Sequence, residues 1–211
     1  MKIYQGTIIT CDKNNTIAKY LVENNGIIAY VGDELPPIYD CYPITPLNDC
    51  ALIPSFADTH IHFASFATFN AGLNVMNAKS NEEILEMLRE FSKTCKDKMI
   101  IAFGASPYSV KEQCLLTREQ LDAVCPNKPV FFIKYDGHAC VVNTKLLNKI
   151  KKKAEHLRGY HEDTGEMNQE AFFEISNYVT NSISIFKLIK NMQKAVNDLA
   201  KEGIGMIHTV S

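Results

Sequence analysis

Polar and apolar positions change their rhythm near residue 50. Before it, Lys2–Thr10, Ile17–Val22 and Ile27–Val31 are short runs rich in Ile, Val and Tyr, the pattern of half-buried β-strands. Asn24-Asn25-Gly26 and Gly32-Asp33 interrupt them. Asn-Gly between two such runs predicts a tight hairpin, because both central residues of that turn need positive φ. From Ala51 onward, apolar runs alternate with amphipathic stretches, which predicts βα units and a parallel sheet.

The predicted strands of this second region are the Ala51–Phe63 run, Met99–Phe103, Pro129–Tyr135 and a final segment from Ile204 to His208. Ser80 followed by Glu83, and Thr117 followed by Gln120, have the spacing of capping boxes. The first opens a helix with Ile84, Leu88 and Phe91 on one face; the second opens a short helix that stops before Pro126. A long helical region begins at Glu170. Its later part places Ile185, Ile189, Met192, Val196 and Leu199 on one stripe, expected to pack against a sheet. Gly203 suits the end of that helix.

Composition narrows the class. With 211 residues, 46% of them hydrophobic, the chain can bury a core. Its 22 basic and 24 acidic side chains are interspersed for a net charge of −2, so there is no electrostatic footprint for nucleic acid or an anionic membrane. Lys149–Lys153 is the single basic run and reads as a solvated helix end. Seven cysteines without a Cys-x-x-Cys pair fit free thiols in a reducing cytoplasm. No run has the apolar length of a membrane span, and the first residues read as a strand rather than a leader.

The chemistry concentrates at strand ends. In an extended Ala51–Phe63 run, Asp58, His60 and His62 share a face. Two neutral imidazoles converging there can hold one divalent ion, each offering a lone pair, and zinc accepts nitrogen at about 2.0–2.1 Å. Taken alone, the pair reads equally well as two ordinary histidines beside a loop. Of the six histidines, His60, His62, His138 and His208 all fall at the C-terminal ends of predicted strands, where (βα) barrel enzymes build their active sites. His156 and His161 fall in a polar, loop-like stretch.

The string from Leu52 to His62, Leu-Ile-Pro-Ser-Phe-Ala-Asp-Thr-His-Ile-His, resembles the segment that opens the barrel in the amidohydrolase superfamily. Ser55 stands where that superfamily usually has Gly. Three further stretches follow in family order: Asp136-Gly-His-Ala-Cys-Val-Val-Asn143, Asp163-Thr-Gly-Glu-Met167 and Gly203-Ile-Gly-Met-Ile-His-Thr209. They resemble the branch similar to N-substituted formamide deformylases and exoenzyme-regulatory proteins.

The resemblance implies an α/β fold: about the first four βα units of a TIM-type barrel over 51–211, preceded by a small β-sandwich portion over 1–50. It implies that His60 and His62 are ligands of a divalent metal, zinc foremost, as one or two ions. Asp58 then orients an imidazole from behind or caps a nearby turn, and His138 and His208 line a substrate pocket. Glu166, Glu170 and Glu174 compete for the position of the family's acidic residue, and Asn143 matches an Asn ahead of a helix. The implied activity is hydrolysis of an amide-like C–N bond in a small molecule.

A complete barrel takes about 250 residues, and the region from Ala51 supplies far fewer. The remaining ligands and the catalytic aspartate of the superfamily have no counterpart here. The chain alone is therefore expected to be inactive, with open strand edges covered by a C-terminal half or by a second copy. The rival expectation is a non-catalytic remnant or binding module of the same fold.

Overall fold

The computed structural model describes residues 1–210, which fold into two compact units. Met1–Asp58 with Gly203–Ile207 forms the first; Thr59–Glu202 with the residues from His208 onward forms the second.

In the first unit, β1 (Lys2–Ile9), β2 (Ile17–Asn24), β3 (Ile27–Gly32) and β4 (Ile44–Leu52) make one sheet in the order β3-β2-β1-β4. The first three strands are antiparallel, and β4 joins β1 in parallel. Asn25 and Gly26 have φ of 52° and 82°, so the β2–β3 connection is the tight hairpin the Asn-Gly pair predicts. Ile8, Ala18 and Leu21 form a small core with Tyr4, Val31, Leu47 and Leu52 packed on it. The β4 segment contains Pro46 and little alternation, so no strand was legible there; as an edge strand it tolerates the missing N–H. The expected β-sandwich portion is represented here by a single layer.

The second unit contains α1 (Phe63–Asn70), β6 (Leu73–Asn74), α2 (Asn81–Thr94), β7 (Ile100–Ala105), α3 (Arg118–Val124), β8 (Val130–Lys134), β9 (Ala139–Val142), α4 (Thr144–Ala154), β10 (Glu166–Asn168), α5 (Gln169–Ser182) and α6 (Ile185–Lys201). Its sheet runs β10-β9-β8-β7-β6. Strands β6, β7 and β8 are parallel, β9 turns back antiparallel to β8, and β10 is antiparallel to β9. Successive side chains alternate between two apolar clusters. Ile100, Ala102 and Phe132 pack with Ile84 and Leu88 of α2 and Leu121 of α3. Phe131, Ile133 and Val142 pack with Leu146 and Ile150 of α4 and Phe172 and Ile175 of α5. A sheet covered on both faces explains why Val130–Ile133 is an unbroken apolar run.

Helix ends follow the sequence signals closely. Thr117 and Gln120 complete a reciprocal capping box at α3. At α2, Ser80 Oγ accepts from the Glu83 N–H at 3.1 Å, but the Glu83 carboxylate turns to the Lys79 N–H instead of the Ser80 N–H. Asn143 caps α4 by accepting from the Leu146 N–H at 3.1 Å.

Two expectations are corrected. The four strands expected in one row divide between two sheets: β5 (Phe56–Ile61) pairs with β11 (Ile204–Thr209) in a two-stranded sheet, whereas β7 and β8 belong to the five-stranded one. The first and last of these expected strands are therefore each other's neighbours, and among the described residues no sheet closes into a cylinder. Alternating βα patterns report strands and helices but not which strands share a sheet. The second correction concerns α6. Its buried residue is Ala195, while Ile185 (62%), Phe186 (83%), Ile189 (47%) and Val196 (52%) stay exposed.

Candidate functional site

The β5–β11 pair positions three of the four singled-out histidines. The Phe56 N–H donates to the Gly203 carbonyl at 2.8 Å, and the Val210 N–H donates to the Ile61 carbonyl at 3.0 Å. The two six-residue strands thus run parallel and in step. Ile61 lies beside Thr209 and His60 beside His208, so these two histidines share a face. The Phe63 N–H also reaches Thr209 Oγ1 at 3.4 Å.

His62 sits one residue past β5, in the N-cap position of α1, where its side chain makes no capping hydrogen bond. Its ring meets that of His60 edge to face, with centroids 5.7 Å apart and planes at 76°. Both rings are exposed. Asp58, half-buried, precedes His60 on β5 with the same parity.

His138 is in a different place. It occupies the turn between β8 and β9, at the end of the five-stranded sheet where β7 and β8 terminate. Asp136 Oδ1 accepts from the His138 N–H at 3.0 Å, and Asp136 Oδ2 pairs with Lys134 Nζ at 2.8 Å. Burial works to raise the Asp136 carboxyl, but the Lys134 ammonium and the His138 N–H outweigh it and hold the group below its ordinary range. Lys134 is raised, chiefly by its hydrogen bond to Asp136. In the sequence Lys134 is one position in the strand run Pro129–Tyr135. The available signal was its parity with Asp136 across an Asp-Gly turn.

The three glutamates expected to compete for one role separate. Glu170 is bound by Arg158 through Nε at 2.9 Å and Nη2 at 2.7 Å. Glu166 lies on β10 and Glu174 on α5. Cys125 and Cys140 are buried, and loss of solvation pushes both thiols up, which makes them poor nucleophiles. A cavity of about 520 Å³ lies at the opposite end of the five-stranded sheet, beside Met99, Pro129 and Tyr178, and contains none of the histidines.

His60 and His62 supply two nitrogen donors of the kind a divalent metal takes. Among the described residues, no group of three or more His, Cys, Asp or Glu side chains is placed to hold an ion. Catalytic zinc usually takes three protein ligands. The donor set therefore fits a metal in chemistry and falls short of one in number.

Residues 46–209, containing both paired histidine strands, match the pattern of the amidohydrolase family. The chain belongs to the amidohydrolase family. This amidohydrolase family member is 27% identical over 158 residues to the N-substituted formamide deformylase of Arthrobacter pascens, covering 71% of this chain and 29% of that protein. It is 26% identical over 102 residues to the putative amidohydrolase YtcJ of Bacillus subtilis, covering 48% of this chain and 19% of the relative. A crystal structure of an uncharacterized metal-dependent hydrolase from Pyrococcus horikoshii matches the fold with a TM-score of 0.73 at 24% identity, over 100% of this chain and 43% of that one. The amidohydrolase chain thus spans less than a third of the length of these curated relatives. No helix among its described residues is long and apolar enough to cross a membrane.

Proposed function

We propose that this chain is the metal-binding N-terminal portion of a metal-dependent hydrolase that cleaves an amide-like C–N bond in a small molecule. The observation that carries the reading is the edge-to-face meeting of His60 and His62 at a strand end in an amidohydrolase family member. These two imidazoles hold the ion, zinc foremost. Such an ion supplies Lewis acidity, polarising a carbonyl and lowering the pKa of water. Asp58 orients an imidazole as an acceptor behind it. His208, beside His60, and His138, from the β8–β9 turn, contact the substrate.

The β5–β11 pair begins a barrel whose further strands lie in the part of the fold that this chain does not span. That part brings the remaining ligand and the carboxylate that moves protons. The chain alone binds metal weakly and does not turn over substrate. Seven free cysteines support a reducing, cytoplasmic setting. The absence of a third donor among the described residues favours a second reading, a non-catalytic binding module of the same fold.

The test is metal content and amide hydrolysis of the 211-residue chain, measured with and without the polypeptide encoded downstream. Metal binding and hydrolysis by the extended protein support the enzyme; failure of the extended protein to retain metal removes it.

A further inference from the structure

The cavity at the end of the five-stranded sheet opposite His138 has a makeup that the proposed reaction does not use. Its volume of about 520 Å³ falls in the range of sites that enclose small molecules. Met99 and Pro129, which immediately precede β7 and β8, line it together with Ile101 of β7 and with Tyr178 and Val179 of α5. Val179 belongs to the larger apolar cluster, and Met99, Ile101 and Tyr178 pack against that cluster. The apolar wall is therefore anchored in the core rather than assembled from loose surface side chains.

The charged residues around this wall are of nearly one sign. Lys96 and Lys98 come from the α2–β7 connection, Lys149 from α4 and Lys187 from α6, against the single acid Asp97. Asp97 Oδ2 pairs with Lys187 Nζ. Among the described residues, Lys96, Lys98 and Lys149 have no carboxylate partner. Lys149 opens the basic run of α4, and its neighbour Lys151 is taken by Glu162. One member of that run thus serves the cavity while another is tied to the opposite charge.

This combination selects among ligand classes. A neutral apolar molecule would gain nothing from the ammonium groups, and a cation would be repelled by them. A polyphosphate would leave the apolar wall unused, and no arginine lines the cavity to grip it bidentately. A carboxylate carried on an apolar body uses both parts: the body leaves water against Met99, Ile101 and Tyr178, and the anion stays at the lysines. We propose that this cavity binds a small amphipathic carboxylate, with Lys98 and Lys187 among the groups that hold its charge. Asp97 competes with the ligand for Lys187. The site is separate from the histidines and stands or falls independently of the hydrolase reading.

The experiment is titration of the 211-residue chain with octanoate, octan-1-ol and octylammonium, followed by calorimetry and by the NMR signal of the Met99 methyl group. Octanoate is expected to bind once per chain and shift that signal, and octylammonium to leave it in place. With about threefold for each exposed ionic contact, octan-1-ol should bind at least about tenfold more weakly than octanoate. Added salt should weaken octanoate and not octan-1-ol. Lys98→Met and Lys187→Met should each weaken octanoate about threefold, while Asp97→Asn, which frees Lys187, should tighten it. Ala71→Phe, which places a ring in the cavity lining, should abolish binding of both octanoate and octan-1-ol. Circular dichroism verifies the folding of each variant. Ile189→Ser, on the exposed side of α6, should change nothing. An unmoved Met99 signal, equal binding of octanoate and octan-1-ol, or unchanged affinity in both lysine variants overturns the proposal. So does loss of binding in Ile189→Ser, which would put octanoate on the bare face of α6.

Discussion

His60 and His208 lie side by side, one on each strand of the β5–β11 pair, although nearly 150 residues separate them in sequence. His208 is thus a strand neighbour of the metal candidate His60, although the described residues place no three such side chains to hold one ion. Calorimetric titration with zinc should show one weak site per chain. His60→Ala and His62→Ala should each lower its affinity at least about tenfold, exceeding the smallest losses that follow removal of a supporting partner. His208→Ala should change it less, and His156→Ala not at all. Equal effects of all four substitutions would point to adventitious binding.

Asn143 should be the most costly polar residue to truncate. Its Oδ1 accepts from the Leu146 N–H at 3.1 Å and the Val130 N–H at 2.9 Å, and its Nδ2 donates to the carbonyls of Lys128 at 2.8 Å and Cys125 at 3.1 Å. The side chain is fully buried. Asn143→Ala removes a helix cap and leaves buried backbone groups unpaired, for a loss of about 2–4 kcal/mol. Urea denaturation should show a lower midpoint with an unchanged slope.

The Lys134–Asp136 pair predicts stability losses at both extremes of pH. The folded-state carboxyl lies below its ordinary 3.8, so its contribution is present above that value and fades as pH falls through the depressed one. The folded-state ammonium lies above its ordinary 10.5; its contribution is complete below that value and is lost as pH rises through the elevated one. Asp136→Asn should flatten both limbs of a melting-temperature profile. With both side chains partly exposed, the change at neutral pH should be about 1 kcal/mol or less.

The bare side of α6 should make the isolated chain associate. Ile185, Phe186, Ile189 and Val196 form an exposed apolar surface of the kind that drives self-association. Sedimentation should show mass rising with concentration. Ile189→Lys with Val196→Glu should reduce it with little cost in melting temperature, because neither side chain is buried.

Much of the fold was legible because local chemistry dictated it. Asn25-Gly26 specified a hairpin and formed one; Thr117 and Gln120 specified a reciprocal cap and formed it. What was not legible was long-range partnership. Nothing local to Phe56–Ile61 distinguishes β7 from β11 as its neighbour, and the Asp136-Gly-His138 stretch read as the end of a strand, whereas it is the corner of a β8–β9 hairpin. The α6 stripe has the period of a packed helix, and periodicity reports a face without reporting what covers it. At the candidate site, the rings of His60 and His62 meet edge to face, with His62 past the end of the strand expected to carry it, while the ion pair behind His138 depended on a turn geometry that composition does not encode.

The long separation within the β5–β11 pair also orders assembly in time. Phe63 and Thr209, linked by a hydrogen bond, are 146 positions apart. A ribosome synthesising this chain exposes His60 and His62 long before their neighbouring strand exists. The intervening five-stranded sheet can condense meanwhile, shortening the unstructured span that must close. The histidine end therefore closes only after β11 has been made, and an amino-acid change that slows folding of the interposed sheet would delay it without touching it.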